Sequence, residues 1–230
     1  MTNFEIFYEY FIVYEGYKDY FIGLKNTAII AVFGLLIGFF IGCLIATVKI
    51  VPVKNKVLAV VEKFCDVYVA LFRGTPMTVQ LLLMHFAIFP MMGIDVSTVF
   101  EAVLIFGMNS GAYMAEILRG GINAVDGGQM EASRSLGFGF VQSMVRIVLP
   151  QAIKNILPTL GNEFIALIKE TSVVSFIAVV DVTKALKSIA DSTIEYFVPY
   201  IVLALTYLII VLLITWLIKI MERRLAKNER

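Results

Sequence analysis

The sequence predicts an all-α polytopic membrane protein with five transmembrane helices, its N-terminus outside and its C-terminus in the cytoplasm. Three observations carry that prediction. The 230 residues are 60% hydrophobic and only 16% charged, with a mean hydropathy of +0.87, where a soluble domain carries about 25% charged residues. Three stretches, Asn26–Val48, Gly74–Ile94 and Tyr196–Ile218, carry no charge and are long enough to span a bilayer. The basic residues cluster in alternate connecting segments.

The N-terminal segment does not read as a signal peptide, since it lacks a basic region and carries Glu5, Glu9 and Glu15 early. Phe4, Phe7, Tyr8, Phe11 and Tyr14 recur there at helical spacing, which predicts a short helix lying in the membrane interface over about residues 3–15. The spans follow near 22–48, 58–90, 96–117, 156–180 and 196–219, all within a single domain covering 1–230. The third and fourth rest on apolar stretches interrupted by charge: Val96–Ala115 by Glu101, and Leu157–Val180 by Glu163, Lys169 and Glu170.

Orientation follows from the connecting segments. Lys49, Lys54, Lys56, Lys63, Arg119, Arg134, Arg146, Lys154, Lys219, Arg223, Arg224, Lys227 and Arg230 fall in 49–63, 119–154 and 219–230. The opposite segments carry only Lys18, Lys25, Lys184 and Lys187 among a larger number of acids. The excess of positive charge assigns the first group to the cytoplasm, and an odd number of spans puts the two ends on opposite sides. A net charge of +1 makes no case for a nucleic-acid partner. Cys43, Cys65 and His85 have no ligand-spaced neighbours, so no metal site is expected. The ten methionines are scattered and need only a packing role; Tyr207 and Trp216 suit packing or interface anchoring. No internal repeat of the kind common in secondary transporters is visible.

The loop over about 119–155 is long for so small a membrane protein. Helical patterning around Glu131–Leu136 meets Gly137, where a helix should stop, and a second short run reaches Leu149 before Pro150, expected to break it. Within it stand Glu131-Ala132-Ser133, three residues, Gly137, nine residues, and Ile147-Val148-Leu149-Pro150. This resembles the Glu-Ala-Ala loop of ABC importer permeases at every spacing, with Ser133 in place of the second alanine. Phe72-Arg73-Gly74-Thr75-Pro76, Arg119-Gly120-Gly121, Gly128-Gln129 and Gly161-Asn162-Glu163-Phe164 are similar to the polar amino-acid uptake branch of that family. The resemblance covers about residues 20–220.

The resemblance implies a multi-pass subunit of the cytoplasmic (inner) membrane that translocates polar L-amino acids by alternating access. It implies a coupling helix near Gln129–Phe140, with Gln129, Glu131, Ala132, Ser133, Leu136 and Gly137 meeting a cytoplasmic ATPase. It further implies two ATPase subunits, a second permease copy or homologue, and an extracellular or periplasmic substrate-binding protein. The chain has no GxxxxGK[ST] phosphate loop, so it is not expected to be an enzyme. It needs no cofactor of its own; ATP and magnesium are expected on the partner subunit.

Ionisable groups inside a membrane cost at least about 2.5–3.5 kcal/mol each at a helix centre, and persist where they pair, face a cavity or work. In the fourth span Asn155, Asn162 and Lys169 form one stripe, with Glu163 and Glu170 about 100° round. In the third, Asn109, Tyr113 and Glu116 share a face. In the second, Pro76 follows Arg73, Gly74 and Thr75 and can break the helix. These assign a substrate site to Glu163, Asn109, Asn162, Arg73, Gly74 and Thr75, with Glu163 meeting a cation and Arg73 a carboxylate. A carboxylate in low dielectric needs a strong partner, which favours arginine, lysine or histidine over glutamine or another polar amino acid. The competing reading makes Arg73, Glu116, Lys169 and Glu170 structural ion pairs. Two other functions compete: a transporter driven by an ion gradient, which leaves the loop unexplained, and a channel or scaffold, which leaves Glu163 without work.

Overall fold

The computed structural model describes residues 2–52 and 55–227, the last three by their backbone only. Two of the basic residues used for orientation, Lys54 and Arg230, lie outside the described residues. Eleven α-helices follow in order, with no strand among the described residues: α1 Asn3–Tyr8, α2 Gly16–Ile50, α3 Lys56–Gly74, α4 Met77–Leu83, α5 Phe89–Met91, α6 Thr98–Asn123, α7 Gly127–Ser135, α8 Phe140–Ser143, α9 Leu149–Glu170, α10 Val182–Thr193 and α11 Phe197–Lys227.

Helices α2 and α11 are each long and apolar enough to cross a membrane alone. The second expected span qualifies only as a bent pair, turning by 106° between α3 and the α4–α5 segment. The bend falls at Thr75-Pro76, both extended, because the residue before a proline is pushed out of the helical region.

Two other prolines do not break their helices. Pro150 was expected to end a helical run, yet it lies in the first turn of α9, where a missing N–H costs nothing. A wide π turn, Met144–Val148, precedes it, and the Leu149 N–H donates back five residues to Met144. The same arrangement, Met84–Ile88 with Phe89 N–H donating to Met84, carries the chain through Pro90. In both places the widened turn makes room for the proline ring.

The core of the bundle is the α2–α6 pair. A Cβ added at Gly34, Gly38 or Gly42 would stand 3.1, 2.7 or 2.4 Å from side chains of Phe106, Ser110 or Met114. Helix α6 answers with Gly107 and Gly111 beneath Ile37 and Ile41. Lipid gives helices no hydrophobic reason to associate, so small residues that admit backbone-to-backbone approach hold such pairs. Helix α9 packs on α6 through Ile156 over Gly121.

The fourth expected span, 156–180, is α-helical only to Glu170. A 3-10 segment, Thr171–Ile177, and a left-handed Ala178 follow before buried Asp181 caps α10 through the Thr183 and Lys184 N–H groups. The N-terminal helix forms as expected, α1 running through a wide turn to Val13. Its aromatic face is partly protein-packed: Phe7, Tyr10 and Phe11 join Val182, Leu186 and Ile189 of α10, while Phe4 and Tyr8 stay exposed.

Candidate functional site

The break between α3 and α4 leaves the last carbonyls of α3 without helical donors, and in a membrane each unpaired group is costly. Two buried amides answer them. Gln80 Nε2 donates to Phe72 O at 2.8 Å, to Thr75 O at 3.0 Å and to Thr75 Oγ1 at 2.8 Å. Asn109 Nδ2 donates to Gln80 Oε1 at 2.8 Å and reaches Phe72 O at 3.4 Å. Asn109 therefore supports the bend on which Gly74 and Thr75 sit. Gln80 was missed in the sequence; its signal was a lone amide in a charge-free stretch directly after a helix-breaking Thr-Pro.

Arg73, on the last turn of α3, is half-exposed. Its guanidinium carbon lies 5.4 Å from the Tyr113 ring centroid, and Nη1 is 3.8 Å from Glu116 Oε2. Glu116 is held more firmly by others: Arg119 Nη2 at 2.6 Å, Arg119 Nε at 3.3 Å and Lys49 Nζ at 3.5 Å. Lys49 also pairs with Asp66 Oδ1 at 2.7 Å. Arg73 thus joins an ion-pair network as its most loosely held member. Lys169 and Glu170, the other suggested ionic partners, are exposed and form no ion pair within 4.0 Å among the described residues. His85 and Glu101, unassigned beforehand, meet at 2.5 Å between the π turn and α6.

Glu163 is half-buried on α9, and Ser110 Oγ donates to its Oε1 at 3.3 Å. It has no ion-pair partner among the described residues. Asn162 is exposed beside it. Glu163 and Arg73 do not share one point: they meet α6 at Ser110 and at Tyr113–Glu116, up to six residues or about 9 Å apart along the axis.

The loop motif folds as a compact capped helix. Asp126 Oδ1 accepts from Gly128 N–H at 2.9 Å at the start of α7. At its end Gly137 has φ +89°, its N–H donates to Arg134 O, and Phe138 N–H donates to Ser133 O, a Schellman stop. The helix therefore ends at Ser135, short of Phe140. Glu131, Ala132, Leu136 and Gly137 are exposed, Leu136 at 78%. Ser133, where the sequence departs from the motif, is 2% exposed, and its hydroxyl donates to Met130 O. Gln129 accepts from Gln151 of α9 at 3.4 Å, tying the loop to that helix.

Residues 34–227 match the family described as the binding-protein-dependent transport system inner membrane component. The chain belongs to that family. A putative glutamine transport system permease protein, GlnP, of Rickettsia bellii is 42% identical over 204 residues, covering 89% of each chain. An arginine transport system permease protein, ArtQ, of Bacillus subtilis is 36% identical over 207 residues, covering 90% of this chain and 92% of that one. A crystal structure of an amino acid ABC transporter with histidines superposes with a TM-score of 0.83 at 38% identity, covering 94% of this chain and 98% of that one. The methionine transporter MetNI in an inward-facing form shares the fold, with a TM-score of 0.68 at 19% identity and coverage of 90% and 94%. The expectation of a multi-pass inner-membrane ABC importer permease, of the polar amino-acid branch, is borne out. The family is a transport family, without catalytic activity of its own.

Proposed function

We propose that this permease carries basic L-amino acids, with arginine, lysine or histidine favoured and glutamine the second reading. The observation that carries it is Glu163: a carboxylate midway along the bundle whose one polar contact among the described residues is a serine hydroxyl. Such a group is stabilised by a cation, which a basic substrate brings in its side chain as well as its α-ammonium. Glutamine is kept as the alternative because the Rickettsia relative is named for it. The substrate lies between α3–α4, α6 and α9, within reach of Glu163, Asn162, Gly74 and Thr75, with Asn109 holding the bend. Uptake of arginine and of glutamine into proteoliposomes, compared between wild type and Glu163→Gln, tests this. Loss of arginine uptake alone supports it; unchanged arginine uptake removes Glu163 from the site.

Five spans, α2, the bent α3–α5, α6, α9 and α11, run from an outer N-terminus to a cytoplasmic C-terminus. The exposed face of α7, with Glu131, Ala132 and Leu136 presented around the Gly137 stop, is the surface that two ATPase subunits grip, one for each of two permeases. ATP and magnesium bind on those subunits, and a substrate-binding protein delivers the amino acid from outside. Closure of the ATPases moves the bundle as a rigid body through α7.

A further inference from the structure

Glu163 stands at one end of a polar ladder. On α9, Asn155, Thr159 and Glu163 follow at four-residue spacing, one face over two turns. On α6, Ser110, Tyr113 and Glu116 run alongside in the opposite sense. Below Glu163, toward the end of α6 that leads into α7, Asn155 and Thr159 face Arg73, Tyr113 and Glu116 across an open cleft of about 410 Å³.

The ion-pair network that borders that cleft is not balanced. Among the described residues Lys49, Arg73 and Arg119 meet two carboxylates, Asp66 and Glu116. Glu116 is taken by the bidentate Arg119 and by Lys49, so the surplus falls on Arg73, whose contact at 3.8 Å is the longest in the network. A guanidinium held by a ring face and one long ion pair keeps hydrogen-bond donors free for an incoming anion. Asn155 and Thr159 add neutral donors opposite it.

We infer that Arg73, Asn155 and Thr159 form a second subsite, which takes the α-carboxylate of the amino acid about 9 Å nearer the cytoplasm than Glu163. The inference rests on the proposed substrate site. It turns one binding point into two, the first reading the cation and the second the carboxylate, with the substrate stretched between them or handed from one to the other. Because every amino acid carries the carboxylate, this subsite is indifferent to the side chain.

The test measures binding to the purified complex of permease and ATPase subunits without binding protein. Its probes are L-arginine with agmatine, and L-glutamine with 4-aminobutanamide; each amine lacks only the α-carboxylate. Arg73→Gln is expected to weaken both amino acids roughly tenfold, the scale of one charge-assisted bond, and to leave both amines unchanged; Arg73→Lys restores most of the loss. Asn155→Ala with Thr159→Val, which leaves the ion network intact, gives the same contrast at smaller amplitude, and it decides the matter if Arg73→Gln does not assemble. Equal weakening of acid and amine, weakening of neither, or no binding of either amino acid to the wild-type complex overturns the inference. Glu163→Gln separates the two readings: arginine and agmatine unaffected there, with the Arg73 contrast intact, refutes the proposed cation site and keeps the carboxylate subsite.

Discussion

Gly137 is the position where the loop geometry makes its sharpest demand. A φ of +89° is costly for any residue with a Cβ, by about 1–2 kcal/mol, and more for a β-branched one. Nothing stands within 4 Å of a Cβ built there, so the penalty is one of backbone angle alone and no clash adds to it. If the turn yields instead, the two Schellman bonds from Gly137 and Phe138 are lost, at about 1 kcal/mol each. Either way the docking-competent loop becomes 5- to 30-fold rarer, roughly. The assay is titration of the ATPase subunits onto the permease in nanodiscs for Gly137→Asn, Gly137→Ala and Gly137→Val, with ATP-driven uptake alongside. Affinity and uptake are expected to fall in that order, asparagine losing least because it tolerates left-handed backbone, while the melting temperature of the membrane bundle stays put. Wild-type affinity in Gly137→Val, or an asparagine variant as weak as valine, would refute the assignment of this turn to coupling.

Other perturbations read other parts of the fold. Gln80→Leu removes the side-chain donor to the Thr75 carbonyl and leaves Phe72 O only the longer contact from Asn109, and thermal unfolding of the complex is expected to show a loss of about 1–3 kcal/mol; an unchanged melting curve would mean the bend does not need the amide. Gly23→Ala puts a methyl 2.5 Å from the Asp181 carbonyl carbon, so α2 must part from the α10 cap, and reduced yield and melting temperature are expected. A cysteine at exposed Ser192, in a background without Cys43 and Cys65, is expected to react with a membrane-impermeant maleimide from outside only; labelling from the cytoplasm alone reverses the orientation. Glu131→Lys is expected to lower ATPase affinity with the bundle intact, checked in the same titration as Gly137.

The sequence disclosed most where one physical effect dominates. Helices α2 and α11 are legible because lipid leaves a long charge-free run no other stable form. Gly137 is legible because a glycine after helical patterning has one common use. The bend at Pro76 was half legible: the proline announced a break, but its angle depends on Gln80 and Asn109 reaching across from separate helices. Pro150 misled, since a proline's effect depends on the width of the turn before it, and nothing local in Met144–Val148 marks that turn as wide. Arg73 and Glu163 were both chosen, yet placed together, because seven-residue stripes locate residues on a helix face and say nothing about which level of the neighbouring helix they meet. The pairing of Lys49 with both Asp66 and Glu116 lay beyond reach, joining three helices whose packing the pattern does not specify.

The wide turn at Met144–Val148 has a mechanical meaning. It holds one more residue than an ordinary helical turn, and each residue advances a helix by about 100°. The loop segment α7–α8 and the polar ladder of α9 are therefore set in angular phase with each other by a residue count. Removing one residue there would leave α7 and the ladder in place, would shorten the spacing between Gly137 and Pro150 by one, and would turn α8 and the loop about the axis of α9 by more than a quarter circle. Whatever torque the loop receives is delivered to Glu163 and Asn155 through that phase, so a single-residue gap or insertion at this point in a related chain would signal a differently geared transporter.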